Sequence, residues 1–171
     1  DRFTDQQSCR VTLVGAVRMD ALRPVLRYYP YVERRGAEVR VGLMAHPSLP
    51  MPVGGVQLRI DDLPVWSIDT SETPIDSAVI TAQQLTAQLP SVADPAQAEA
   101  MRRSAEAMSA TMTRSASPFT ATTGQKAQAI LDQLRSGGRV IYRTTGANAS
   151  STTGEAPLGP EFVRALEECG L

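Results

Sequence analysis

From residue 1 to 69 the apolar positions recur every second residue; from 70 to 137 they recur every third or fourth. In "CRVTLVGAV", beginning at Cys9, Val11, Leu13 and Val17 share one face. "AEVRVGLM" sets Ala37, Val39, Val41 and Leu43 against Glu38 and Arg40, and "VQLRI" repeats the pattern with Val56, Leu58 and Ile60. A period of two predicts half-buried strands. Residues 22–35, "LRPVLRYYPYVERR", carry two prolines and predict a broken or edge strand, since proline cannot donate to a ladder. "HPSLPMPVGG" (46–55) is proline- and glycine-rich and predicts a loop.

The later spacing is helical. "DSAVITAQQLTAQL" aligns Ala78, Ala82, Leu85 and Leu89. "DPAQAEAMRRSAEAMSATMTRS" opens with Asp94 as N-cap and Pro95 at the first helical position. Its stripe is Met101, Ala105, Met108 and Met112, which is thin and flexible. It suits a helix docked on its own domain, a partner-binding helix or a mobile insertion. "SASPFTATTG" separates it from "GQKAQAILDQLRSGG", where Ala127, Ile130, Leu131 and Leu134 form an apolar face and Gly137 and Gly138 end the helix. "RVIYRTT" predicts a strand, "GANASSTTGEAPLG" a polar loop. "GPEFVRALEEC" predicts a short helix with Pro160 at its start and Phe162, Val163 and Leu166 on one face. The expected architecture is a single α+β domain over residues 1–171: an antiparallel β-sandwich core of about six to eight strands with an inserted helical segment and a C-terminal helix. Its parts are a strand-rich 1–69, a helical insertion 75–118 and a helix–strand–helix unit 124–169.

The stretch "RIDDLPVWSID" places Asp61 and Asp62 beside the only tryptophan, Trp66. A general acid–base pair needs two carboxylates facing one centre, whereas adjacent strand residues point to opposite faces. "VQLRI" and "VWSI" flank "DDLP" symmetrically, and Asp and Pro favour turns for local reasons. A hairpin turn is therefore expected, with Trp66 entering the core. On that reading Asp61→Ala and Asp62→Ala each cost about 1 kcal/mol at most, and Trp66→Ala about 3–5 kcal/mol. An acid pair is the alternative.

Composition narrows the picture. At 171 residues and 42% hydrophobic the chain can bury a core. A net charge of -1 argues against a dedicated nucleic-acid binder. No apolar run approaches the roughly 20 residues of a membrane span. Lys126 is the only lysine among 17 basic residues. With the abundant alanine, this fits a GC-rich bacterial coding bias. Cys9 and Cys169 stand near opposite ends, and the first residue is Asp1, not methionine. A removed signal peptide would account for both, and in an oxidising compartment the thiols would pair, closing a loop worth about 5 kcal/mol. Two free thiols in a cytosolic protein are the alternative.

Little in the sequence resembles catalytic chemistry. His46 is the only histidine and lies in a proline loop, where a solvated role is expected over a triad role. No zinc spacing is present, "GANASSTTG" lacks the lysine of a phosphate loop, and no cofactor is expected. Arg139 and Arg143 bracket Tyr142, which suggests an anion- or nucleic-acid-facing strand, but with charges balanced elsewhere a solvated sheet face is expected. "NAS" at 148–150 fits a glycosylation acceptor.

The order of features resembles the invasion-associated locus B family of bacterial envelope proteins. The residues carrying the likeness are "SCRV", "VQLRIDDLPVWSI", "AQAILDQLRSGGRVIYR" and the closing "LGPEFVRALEEC". In the last, Gly159, Phe162, Ala165 and Leu166 stand for a Gly–Ala–Leu helix motif, one residue longer in spacing. The likeness covers residues 8–69 and 124–169; 75–118 departs from the family's shorter connection. It implies an exported periplasmic or surface protein, a β-sandwich core, no enzymatic activity and a role in envelope function or host interaction. The expected function is non-catalytic partner binding, with Met101, Met108 and Met112 as candidate contacts and a protein as partner. A small-ligand binder or an enzyme with a loop-built site is the alternative.

Overall fold

A computed structural model describes residues 8–13, 28–75, 95–145 and 153–171. Two four-stranded antiparallel sheets share one apolar core. The first sheet runs in the order β1 (Ser8–Thr12), β2 (Tyr28–Arg35), β3 (Glu38–Ala45), β6 (Phe119–Thr122). The second runs β5 (Trp66–Ile68), β4 (Gly55–Ile60), β7 (Arg139–Thr145), β8 (Gly154–Pro157). Three helices complete the described residues: α1 (Pro95–Ser115), α2 (Gly124–Ser136) and α3 (Pro160–Glu168). This is the α+β architecture that the alternating and helical periods predict. Val17 and the helix expected over 76–89 lie outside the described residues, as do Asp94 and the segment 146–152.

Three strands depart from expectation. Over the described 28–35, β2 is neither broken nor an edge; it lies between β1 and β3, while the rest of the 22–35 stretch, with Pro24, lies outside the described residues. Pro30 is tolerated because its carbonyl accepts the Leu13 N–H at 2.8 Å, so its donorless nitrogen faces the side where β1 ends at Thr12. The β2–β3 ladder continues past it with Pro30 opposite Leu43. β6, within what reads as a separator, is a strand because Gly42 of β3 lets it approach closely; a Cβ there would overlap the Thr120 carbonyl. β8, within what reads as a polar loop, pairs its Gly154 with Tyr142, whose ring occupies the space a side chain would need.

The strand faces explain the burial. Val56, Leu58 and Ile60 of β4 are buried as their period predicts. In β3, Val41 and Leu43 face the core, but Arg40 on the opposite face is buried as well. The first sheet is thus covered on both faces around β2 and β3, and simple alternation fails there. α2 packs on β3 with Ala127, Ile130, Leu131 and Leu134 all buried. Gly137 follows it with an ordinary φ of -83°, so left-handed capping is not its role. A Cβ there would instead collide with the Ile60 side chain.

α3 begins at Pro160 and buries Phe162 and Leu166, with Val163 half-buried. Its end is a Schellman closure: Gly170, at φ 68°, donates to the Glu167 carbonyl at 2.8 Å, and Leu171 donates to that of Leu166 at 2.9 Å. This fixes Cys169 against β1, where it is bonded to Cys9 with the Cα atoms 5.4 Å apart.

Candidate functional site

The acids of "RIDDLPVWSID" separate into three structural roles. Asp61 takes a left-handed conformation, φ 48°, in the turn after β4. Its carboxylate accepts the N–H groups of Gly138 and Arg139, each at 3.0 Å, and its own N–H donates to the Arg139 carbonyl at 3.1 Å. It therefore holds the α2–β7 junction and does more than close a hairpin. Asp62 points to solvent, 3.6 Å from Arg59. Asp69 caps a single 3-10 turn, Thr70–Glu72, in a reciprocal box: it accepts the Ser71 N–H at 2.8 Å while Glu72 accepts the Asp69 N–H at 2.9 Å. No two of these carboxylates converge on one centre. Trp66 is half-buried, not fully buried as expected, because its indole N–H reaches out to Gln133 at 2.8 Å.

The other candidates resolve as follows. His46 lies 6.0 Å from the Tyr29 ring, and its Nδ1 accepts the Ser48 N–H at 3.1 Å, an arrangement that belongs to the turn. Among the described residues no three His, Cys, Asp or Glu side chains gather closely enough to hold a metal ion. No described helix is long and apolar enough to cross a membrane. Arg139 and Arg143 alternate with Ile141 on the outer face of the second sheet, while Tyr142 turns towards the core. Arg143 bonds Gln57 at 2.7 Å and Arg139 stands 3.6 Å from Glu155. The cleft beside them, about 150 Å³, is lined by Arg59, Val65, Ile141 and Arg143.

Two polar clusters lie outside the site residues that the sequence suggests. Arg10, Glu33 and Arg40 stand opposite one another across β1, β2 and β3, with Arg10 bonded to Glu33 at 2.7 Å. Glu33 and Arg40 are each 6% exposed. Only the strand register, which sequence does not supply, brings them together. The second cluster centres on Lys126 of α2, which reaches Glu72 at 2.8 Å and the Ser67 carbonyl at 2.5 Å. Thr122 of β6 donates to the same carboxylate at 2.8 Å, so one knot ties α2 to both sheets. Burial pushes the Glu72 carboxyl up, but the hydrogen bonds from Lys126, Asp69 and Thr122 outweigh it and hold it below its ordinary 4.5. Hydrogen bonds from Ser71 hold Asp69 below its ordinary range too. The Asp-x-x-Glu spacing of residues 69 and 72 is the signal that would have found the capping box.

The remaining element is α1, which starts at Pro95 as expected. None of its described residues is buried. Met101, Met108 and Met112 are 36%, 67% and 62% exposed. Its half-buried positions include Ala98, Ala105, Ser109 and Thr113. The docked reading of the methionine stripe therefore fails for these three side chains: what turns inward is a flank of small residues beside them. The helix is attached near its end, where Arg114 donates to the Thr73 carbonyl at 3.1 Å. It maintains itself by alanine content and by a Glu99–Arg102–Glu106 series with Arg103 at 2.8–3.0 Å. The hydrogen bond from Arg102 holds the Glu99 carboxyl below its ordinary value. Comparison with protein-family models, curated proteins and solved structures finds no match for this chain.

Proposed function

We propose that the chain is a non-catalytic exported protein of the bacterial envelope, periplasmic or surface-located, that binds a protein partner through α1. The observation that carries this is the helix itself: 21 residues long, with none of its described residues buried and three methionines open to solvent. A helix of this length extends about 30 Å, and without a covered apolar face it adds little to the stability of the core. Unbranched thioether side chains adapt to varied surfaces, which suits a recognition face. The Cys9–Cys169 bond supports export, because such bonds persist in oxidising compartments. The resemblance to the invasion-associated locus B family supports an envelope or host-interaction role.

The test is a triple substitution, Met101→Ser, Met108→Ser and Met112→Ser, in pull-downs from envelope extract. The variant should keep its melting temperature and lose the captured partner. Capture of the same partner at the same level would overturn the assignment to α1. Two alkylatable thiols in the native protein would overturn the export reading.

A further inference from the structure

A cavity of about 320 Å³ opens where α1 ends, between the segment after the 3-10 turn and the start of β6. Its walls include Pro74, Ile75, Pro118 and Phe119, all apolar, together with Thr73 and Arg114. Two polar features there are incompletely used. Thr73 is 2% exposed, and its hydroxyl is the one buried side-chain polar atom among the described residues without a hydrogen-bond partner. Arg114 spends only its Nε, on the Thr73 carbonyl, and no carboxylate among the described residues pairs with its guanidinium. The carbonyls of Met112 and Arg114 are already taken by the N–H groups of Ala116 and Ser117, at 3.0 and 3.2 Å. A guest would therefore meet the Arg114 guanidinium among mostly apolar walls, with the unpartnered Thr73 hydroxyl buried beneath them. A mostly apolar cleft with a few polar groups is the usual form of a small-molecule site, and a guanidinium with N–H groups to spare matches a carboxylate.

We infer that this cavity binds a small organic monocarboxylate with a compact apolar body. The volume admits on the order of ten non-hydrogen atoms, at roughly 30 Å³ each. The carboxylate lies against the guanidinium N–H groups of Arg114 that the Thr73 carbonyl does not use, and the apolar body rests on Ile75 and Phe119. The site is separate from the methionine face, so it stands whether or not α1 takes a protein partner.

The test titrates the whole chain at pH 7 with benzoate and hexanoate, and with benzamide and hexanamide as uncharged counterparts, by calorimetry and by shifts of the Phe119 ring resonances. Both acids should bind saturably and at least tenfold more tightly than their amides. Arg114→Gln should remove that preference. The wild-type comparison decides the matter even if Arg114→Gln does not fold. Absence of saturation at 10 mM acid, or equal binding of acid and amide, overturns the proposal.

Discussion

α1 and α2 both follow the helical apolar period, yet they occupy opposite situations. α2 places Ile130, Leu131 and Leu134, branched side chains with few rotamers, in the core between the sheets. α1 places three methionines in solvent and turns small residues inward. The spacing of apolar residues thus tells that a helix forms; their shape and volume tell whether it docks. A stripe of Ala and Met buries little area per turn and demands no particular partner, while Ile and Leu fill a defined space. The two helices are also supported differently. Lys126 ties α2 to Glu72, and Asp61 holds its exit, whereas α1 relies on ion pairs within itself.

The contrast breaks most clearly in the core. Leu131→Ala should cost about 3 kcal/mol, from lost transfer energy and the cavity left behind, read as a lowered denaturant midpoint with unchanged slope. The same truncation at Met108 should move the midpoint by less than about 0.5 kcal/mol. An equal cost at both sites would show that α1 is packed as α2 is. Next comes Asp61→Ala, at about 2 kcal/mol, since two backbone donors lose an anionic acceptor and alanine tolerates the left-handed turn poorly. This is larger than the turn reading of the sequence implies. Asp61→Asn should recover part of the loss, and Asp62→Ala should cost nothing measurable. Trp66→Ala, at a half-buried ring bonded to Gln133, should cost about 2 kcal/mol, below the expectation for a fully buried tryptophan.

Acid sharpens the comparison further. The Glu72 carboxyl is lowered in the folded chain, so its contribution is complete above its ordinary 4.5 and is lost as pH falls through the lower folded value. Melting temperatures should decline in that window, and Glu72→Gln should flatten the decline by an amount worth under about 1 kcal/mol, the group being partly solvated. Glu99 is lowered in the same direction but lies in solvent, so its protonation should loosen α1 locally, seen as lost helical amide protection in 100–110, without shifting the global melt. Met101→Ser, Met108→Ser and Met112→Ser together should likewise leave stability within about 0.5 kcal/mol while altering binding.

Much of the core was legible in the sequence because it depends on local period. Val56, Leu58, Ile60 and the four buried residues of α2 follow directly from spacing. What was not legible depends on register and on contacts across distance. Arg40 alternates as a solvent residue should, and its burial is tolerable because Glu38 accepts from its Nε at 2.6 Å and Glu33 stands opposite it across the ladder. β6 and β8 are short strands whose sequences carry turn residues, and they exist because Gly42 and Gly154 admit a neighbour. Pro30 argues against an interior strand until the end of β1 is known. For the cavity, Thr73 and Arg114 are 41 positions apart, and no motif links them.

The Cys9–Cys169 bond gives the molecule a mechanical property. Tension applied to the chain outside these two positions passes from one sulfur to the other and bypasses the 160-residue span between them. Neither sheet is sheared and no helix is unwound while the bond is intact. A protein pulled between an anchored partner and a moving one would transmit the load through a covalent link and keep its fold slack. Reduction would pass the load into the fold itself, at β1 on the edge of its sheet and at α3.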